Sequence, residues 1–110
     1  MAISSVLSTA TGGLFAAGRQ ADAAASNIAN VNSEPARHVR ASTSSVVAAA
    51  SSNNPAGGSG VATQLIVSNG APDLATSTVD LMRAEAAFKA SASVVHTAEQ
   101  LSKDTLNLFA

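Results

Sequence analysis

The sequence predicts a mainly α fold, in which an N-terminal and a C-terminal helix pack as an antiparallel, coiled-coil-like pair with a β-hairpin inserted between them. Three observations predict it. Residues 77–109 contain neither Gly nor Pro, residues 3–31 carry an unbroken heptad pattern, and the stretch between turns to valines and hydroxyls around a turn-rich tip. The expected division is an N-terminal helix over 1–32, a β-hairpin with a flexible loop over 33–76, and a C-terminal helix over 77–110.

In the first helix Ile3, Leu7, Ala10, Leu14, Ala17, Ala21, Ala24, Ile28 and Val31 alternate spacings of four and three, which places them on one seam. At ~1.5 Å per residue the helix is about 45 Å long. Gly12 and Gly13 are its weak place, since a glycine inside a helix costs about 1 kcal/mol relative to alanine. The run Asn27-Ile28-Ala29-Asn30-Val31-Asn32-Ser33-Glu34-Pro35 ends it, because asparagine competes for backbone hydrogen bonds and proline forbids continuation. Beyond capping, Asn27, Asn30 and Asn32 are candidates to hydrogen-bond a neighbouring chain where the coiled coil stops.

Two strands follow. Val39, Ser45, Val46 and Val47 mark the first within 36–49, and Val61, Leu65, Ile66 and Val67 mark the second. Between them residues 51–60 are so rich in Ser, Asn, Pro and Gly that they read as the tip. An isolated two-stranded hairpin is scarcely stable in water, so it must lie on the helices or on another subunit. Asn69-Gly70-Ala71-Pro72 is a further turn, after which Asp73 or Ser77 can cap the long helix.

The C-terminal helix carries two apolar lines. Leu81, Phe88 and Val95 recur every seven residues, and Ala87, Val94, Leu101 and Leu108 form a second series one position away, about 100° round the helix. Two such lines suit a helix wedged between two different neighbours. Glu85 with Lys89, Glu99 with Lys103 and, more loosely, Asp80 with Arg83 are spaced to support the helix as acid–base pairs.

Composition points the same way. The 110 residues are 46% hydrophobic, but 25 of them are alanine and there is no Trp, no Tyr and three Phe. Burying a methyl contributes about 0.8 kcal/mol against roughly 1.5–3 for Val, Leu or Phe, so the chain has little burial energy of its own and borrows stability from neighbours. A net charge of −1 gives no electrostatic reason to expect nucleic acid or an anionic membrane. No window is long and apolar enough to span a bilayer, and the N-terminus lacks the pattern of a standard cleaved signal. Without cysteine, thiol chemistry is excluded.

No catalytic constellation stands out. Gly57-Gly58-Ser59-Gly60 lacks the Lys-Ser/Thr and helix start of a phosphate loop, and His38 and His96 have no partner at metal-ligand spacing. Neither an enzyme nor a cofactor, metal or catalytic residue is expected. Arg37-His38-Val39-Arg40 is the one basic cluster, a solvated strand edge or a contact for acidic groups on a partner.

The two ends together resemble the flagellar basal-body rod and hook family of axial proteins. Its N-terminal signature is matched by Ala25-Ser26-Asn27-Ile28-Ala29-Asn30-Val31-Asn32-Ser33, and its C-terminal one by Asp73-Leu74-Ala75, Val79 to Met82, Ala87-Phe88, Val94-Val95-His96-Thr97-Ala98-Glu99 and Thr105-Leu106-Asn107-Leu108. Asn27, Asn30, Asn32, Thr97 and Ala98 are the motif residues. Within the family the chain looks most like a short proximal rod protein, since a hairpin is nearly all that separates the helices. Departures occur at Pro35-Ala36, Glu85-Ala86 and Ser91, where the family has other residues.

The resemblance implies a structural subunit exported through the flagellar type III apparatus without a cleaved signal and polymerised into the periplasmic rod. Its partners would be copies of itself and other rod proteins. Ile3, Leu7, Leu14, Ala21, Ile28, Val31, Leu81, Phe88, Val94, Val95, Leu101 and Leu108 are the expected packing residues, within the chain and between subunits. A soluble helical-hairpin adaptor or export chaperone is the rival reading, and a membrane-surface protein is disfavoured by sparse, balanced charge.

Overall fold

Heptad-spaced apolar residues wind Ala2–Ala29 into helix α1, which the strands β1 (Arg37–Ala48) and β2 (Gly58–Asn69) and a second helix, α2 (Leu74–Phe109), follow in order. The computed structural model describes residues 2–48 and 58–110. Two long helices pack against each other with an antiparallel hairpin between them in sequence, the predicted class.

The helix boundaries are set by side chains. Asn30 Nδ2 donates to the Ser26 carbonyl at 2.8 Å and Ser33 Oγ donates to Asn30 Oδ1 at 3.2 Å, so α1 stops at Ala29 and Val31 lies in the turn beyond rather than on the helix. Helix α2 starts at Leu74, three residues before the expected start, because Asp73 is the N-cap. Its Oδ2 accepts from the Thr76 backbone N–H at 3.2 Å and from Thr76 Oγ1 at 2.5 Å. Ser77 is therefore no cap. It lies inside the first turns of the helix, 3% exposed.

The strands pair from Arg37↔Asn69 to Ala48↔Gly58. Gly58, Ser59 and Gly60, expected in the tip, instead extend β2, because the ladder rests on backbone hydrogen bonds that glycine and serine make as well as valine does. The rest of the expected tip, 51–57, lies outside the described residues. At the other end Gly70, at φ +120°, donates its N–H to the Ala36 carbonyl at 3.1 Å and turns the chain towards α2.

The helices run antiparallel. Gly13 of α1 is so near Ser91 that a Cβ at Gly13 would stand 2.8 Å from Ser91 Oγ, Ile3 and Val6 share a groove with Val94 and Leu101, and Gln20 to Asn27 share a cleft with Asp73 to Arg83. With Gly13 beside Ser91, the C-terminal end of α2 extends past the start of α1.

Within the chain, α1 is the helix with two kinds of neighbour. Among the described residues α1 packs on α2 and on both strands, while α2 packs on α1 alone. Burial on α1 follows this. Ala10, Ala17 and Ala24 of the predicted seam are buried, but Leu14, Ala21 and Ile28 are half-buried and Leu7 is 36% exposed, while Ala16, Ala23 and Asn27 are buried off the seam. Two neighbours on adjoining faces rotate the covered surface away from the line that a single partner would select.

The molecule measures 61 × 31 × 14 Å. Its shortest dimension, 14 Å, is less than a quarter of its longest, so the molecule is thin and elongated. The radius of gyration is 18.0 Å where a compact chain of this length has about 13 Å. The accessible surface is 7718 Å², against about 5,500 Å² for a compact monomer of this mass. Among the described residues what is buried is small: seven alanines, Asn27 and Ser77, with Pro72 beside them.

A candidate assembly surface

Helix α2 buries Ser77, Ala84 and Ala98, with Ser91 half-buried in the same heptad position. This small-residue line bisects the two predicted apolar lines. Leu81 and Val95 on one flank are half-buried and Phe88 is 48% exposed, whereas on the other flank Val94 is 45%, Leu101 54% and Leu108 86% exposed, with Ala87 exposed beside them. Small residues let the helix axes approach closely, and the large side chains straddle the contact instead of filling it. The seam itself was missed in the sequence because serine and alanine carry little apolar signal; only their seven-residue spacing could have marked it.

The exposed flank continues onto α1. Ile3 and Val6 join Ser93, Val94, Thr97, Ala98 and Leu101 around an open apolar groove of ≈ 380 Å³ that holds no charged side chain. Beyond it the projecting end of α2 presents Leu106, Leu108 and Phe109, each more than two-thirds exposed. Of the motif residues here, Ala98 is buried in the seam, and Thr97 is exposed with its Oγ1 donating to the Ser93 carbonyl at 3.0 Å.

The Asn-rich motif lies at the opposite end, and its members divide. Asn27 is buried and bonds within the chain rather than to a neighbour: Nδ2 donates to the Val39 carbonyl and Oδ1 accepts the Val39 N–H, both at 2.7 Å. Its primary amide stands where the peptide of an adjacent strand would. Asn30 caps α1, and Asn32 is exposed. Beside them a cleft of ≈ 550 Å³ between α1, β1 and the start of α2 is lined by polar groups that include His38, Arg40, Asp80 and Arg83. His38 Nδ1 lies 3.4 Å from the Gly70 carbonyl, and His96 is exposed on α2.

Electrostatics is sparse. Of the three expected acid–base pairs, Glu85–Lys89 forms at 2.7 Å, and neither Glu99–Lys103 nor Asp80–Arg83 closes, because exposed long side chains gain little from holding one geometry. The hydrogen bond between Glu85 and Lys89, with their mutual attraction second, lowers the carboxyl and raises the amine. The Thr76 hydroxyl, then its backbone N–H, holds the Asp73 carboxyl below the usual carboxylate range. Among the described residues no helix is long and apolar enough to cross a membrane. Compared with models of known families and with curated proteins, the chain matches none.

Proposed function

We propose that the chain is a structural subunit of the bacterial flagellar basal-body rod, polymerising through its terminal helices into the periplasmic drive shaft after export through the type III apparatus. The observation that carries the reading is the uncovered line Val94, Leu101 and Leu108 on a thin, elongated molecule, 45–86% exposed. A chain with this much apolar surface on a long helix is completed by lateral contact with copies or relatives, and heterologous contacts that do not close build a filament. The motif resemblance at both ends supplies the identity of that filament. Its mechanics are those of many shallow, alanine-lined contacts repeated along a shaft.

The test is Val94→Asp in a flagellated bacterium whose rod depends on this chain. The expected result is a soluble chain that no longer enters basal bodies, with loss of motility; normal basal bodies and normal swimming overturn the assignment. The groove between Ile3, Val6, Val94 and Leu101 also favours a second reading, an adaptor or export chaperone that seats one apolar partner helix. Sedimentation separates the two, since an adaptor gives a closed small complex and a rod subunit gives monomer or open polymer.

A further inference from the structure

The bidentate bond from Asn27 to Val39 fixes which backbone groups of the hairpin point outward. In an antiparallel ladder a residue whose N–H and C=O face away from its partner belongs to a non-hydrogen-bonded pair, and such pairs alternate. Val39↔Val67 is one, because both Val39 groups are taken by Asn27. The Gly70 N–H to Ala36 carbonyl bond fixes the opposite phase at the even-numbered residues, and the Val61 nitrogen lies towards Gly12 of α1, as an outward group must. Every odd-numbered residue of both strands therefore turns its peptide groups to the outside.

Asn27 occupies the β1 edge at Val39, and Gly12 lies against the β2 edge at Val61. Past those points the edges are open. Among the described residues no hydrogen bond reaches the outward groups of Thr43, Ser45 and Val47 on β1 or of Leu65 and Val67 on β2. Nothing in either stretch guards the edge: Ala41 to Val47 and Gly60 to Asn69 contain no charged residue and no proline, the usual devices against edge pairing.

We propose that the open β1 edge, Thr43 to Val47, pairs with the open β2 edge, Leu65 to Val67, of a second copy of this chain. The choice of occupant follows from the strand directions. Copies in one orientation, set side by side and staggered along the strands by about six residues, roughly 20 Å, place β2 of one next to β1 of the next running antiparallel, with Leu65 opposite Val47 instead of Ala41. Each copy then offers one edge and accepts one, so the sheet continues without closing. The uncharged, half-exposed side chains Leu65 and Val67 meet Val47 across that junction, and a hairpin marginal alone becomes an inner part of a wider sheet. This rests on the assembly reading above but uses a different surface from Val94 and Leu108.

The experiment is residue-resolved amide exchange on the full chain, dilute and assembled. In the dilute chain Ser42, Ser44 and Val46 are protected and Thr43, Ser45 and Val47 exchange freely. On assembly the latter three and Leu65 and Val67 slow by roughly tenfold or more. Ser45→Pro, which removes an outward N–H and none from the ladder, keeps protection at Ser44 but abolishes the new protection. Assembly that Val94→Asp blocks while Thr43, Ser45 and Val47 stay unprotected overturns the edge pairing alone. New protection confined to β1 in a particle of two chains means that two β1 edges have closed on each other, which also overturns it. A chain that stays monomeric at every concentration overturns both.

Discussion

Asn27 is the residue on which the hairpin's attachment turns. Its amide satisfies both polar groups of Val39 in a part-buried setting, and truncation leaves those groups without partners. Asn27→Ala should destabilise the fold by about 1–3 kcal/mol and release the Val39 amide to rapid exchange. Asn27→Asp gives a sharper test: the carboxylate still accepts the Val39 N–H but repels the Val39 carbonyl. The protonated acid can donate to it, so this variant should gain stability as pH falls through the carboxyl range, the reverse of the parent. The parent's own acid response comes partly from Asp73. Its carboxyl is held low by Thr76, so the cap is fully present above the ordinary carboxylate pKa and is lost as pH falls through the depressed folded value. The Thr76 amide shift, followed by NMR, should move with that transition, and in Asp73→Asn it should not move in this range.

At the scale of the element, the glycines of α1 are explained by what stands opposite them. A Cβ at Gly18 meets nothing within 4 Å and one at Gly12 meets the Val61 nitrogen at an ordinary 3.7 Å, whereas one at Gly13 falls 2.8 Å from Ser91 Oγ. Gly18→Ala and Gly12→Ala should each raise stability by about 0.5–1 kcal/mol, through helix propensity alone. Gly13→Ala should gain less, and the double variant with Ser91→Ala should recover the difference in denaturant midpoints. This contrast shows how far the sequence could be read. The two helices, the hairpin and the two flanking lines of α2 were legible because large apolar residues recur at helical period. The seam between those lines was not, since Ser77, Ala84, Ser91 and Ala98 signal close approach only once a partner backbone is in place. Nor could spacing reveal that α1 has two neighbours, which is why the burial of Ala16, Ala23 and Asn27 was unforeseen while Leu7 was expected inside.

The whole molecule separates surfaces that hold one chain together from surfaces that wait for another. Ala84 is 1% exposed between the two helices, and Leu108 is 86% exposed near the end of α2. A carboxylate at Ala84 must be buried unpaired or force the helices apart, so Ala84→Asp should unfold the dilute chain. A carboxylate at Leu108 meets only water, and Leu108→Asp should leave the dilute chain's thermal midpoint almost unchanged. With the line Val94, Leu101 and Leu108 left exposed, that apolar surface is covered only when chains associate, so the parent's helicity and thermal midpoint should rise with concentration. Leu108→Asp should remove that rise without altering the dilute values, as read by circular dichroism across a hundredfold range of concentration. A midpoint independent of concentration in the parent, or equal losses from both variants in dilute solution, would mean that the single chain is complete in itself and that Leu108 belongs to its interior.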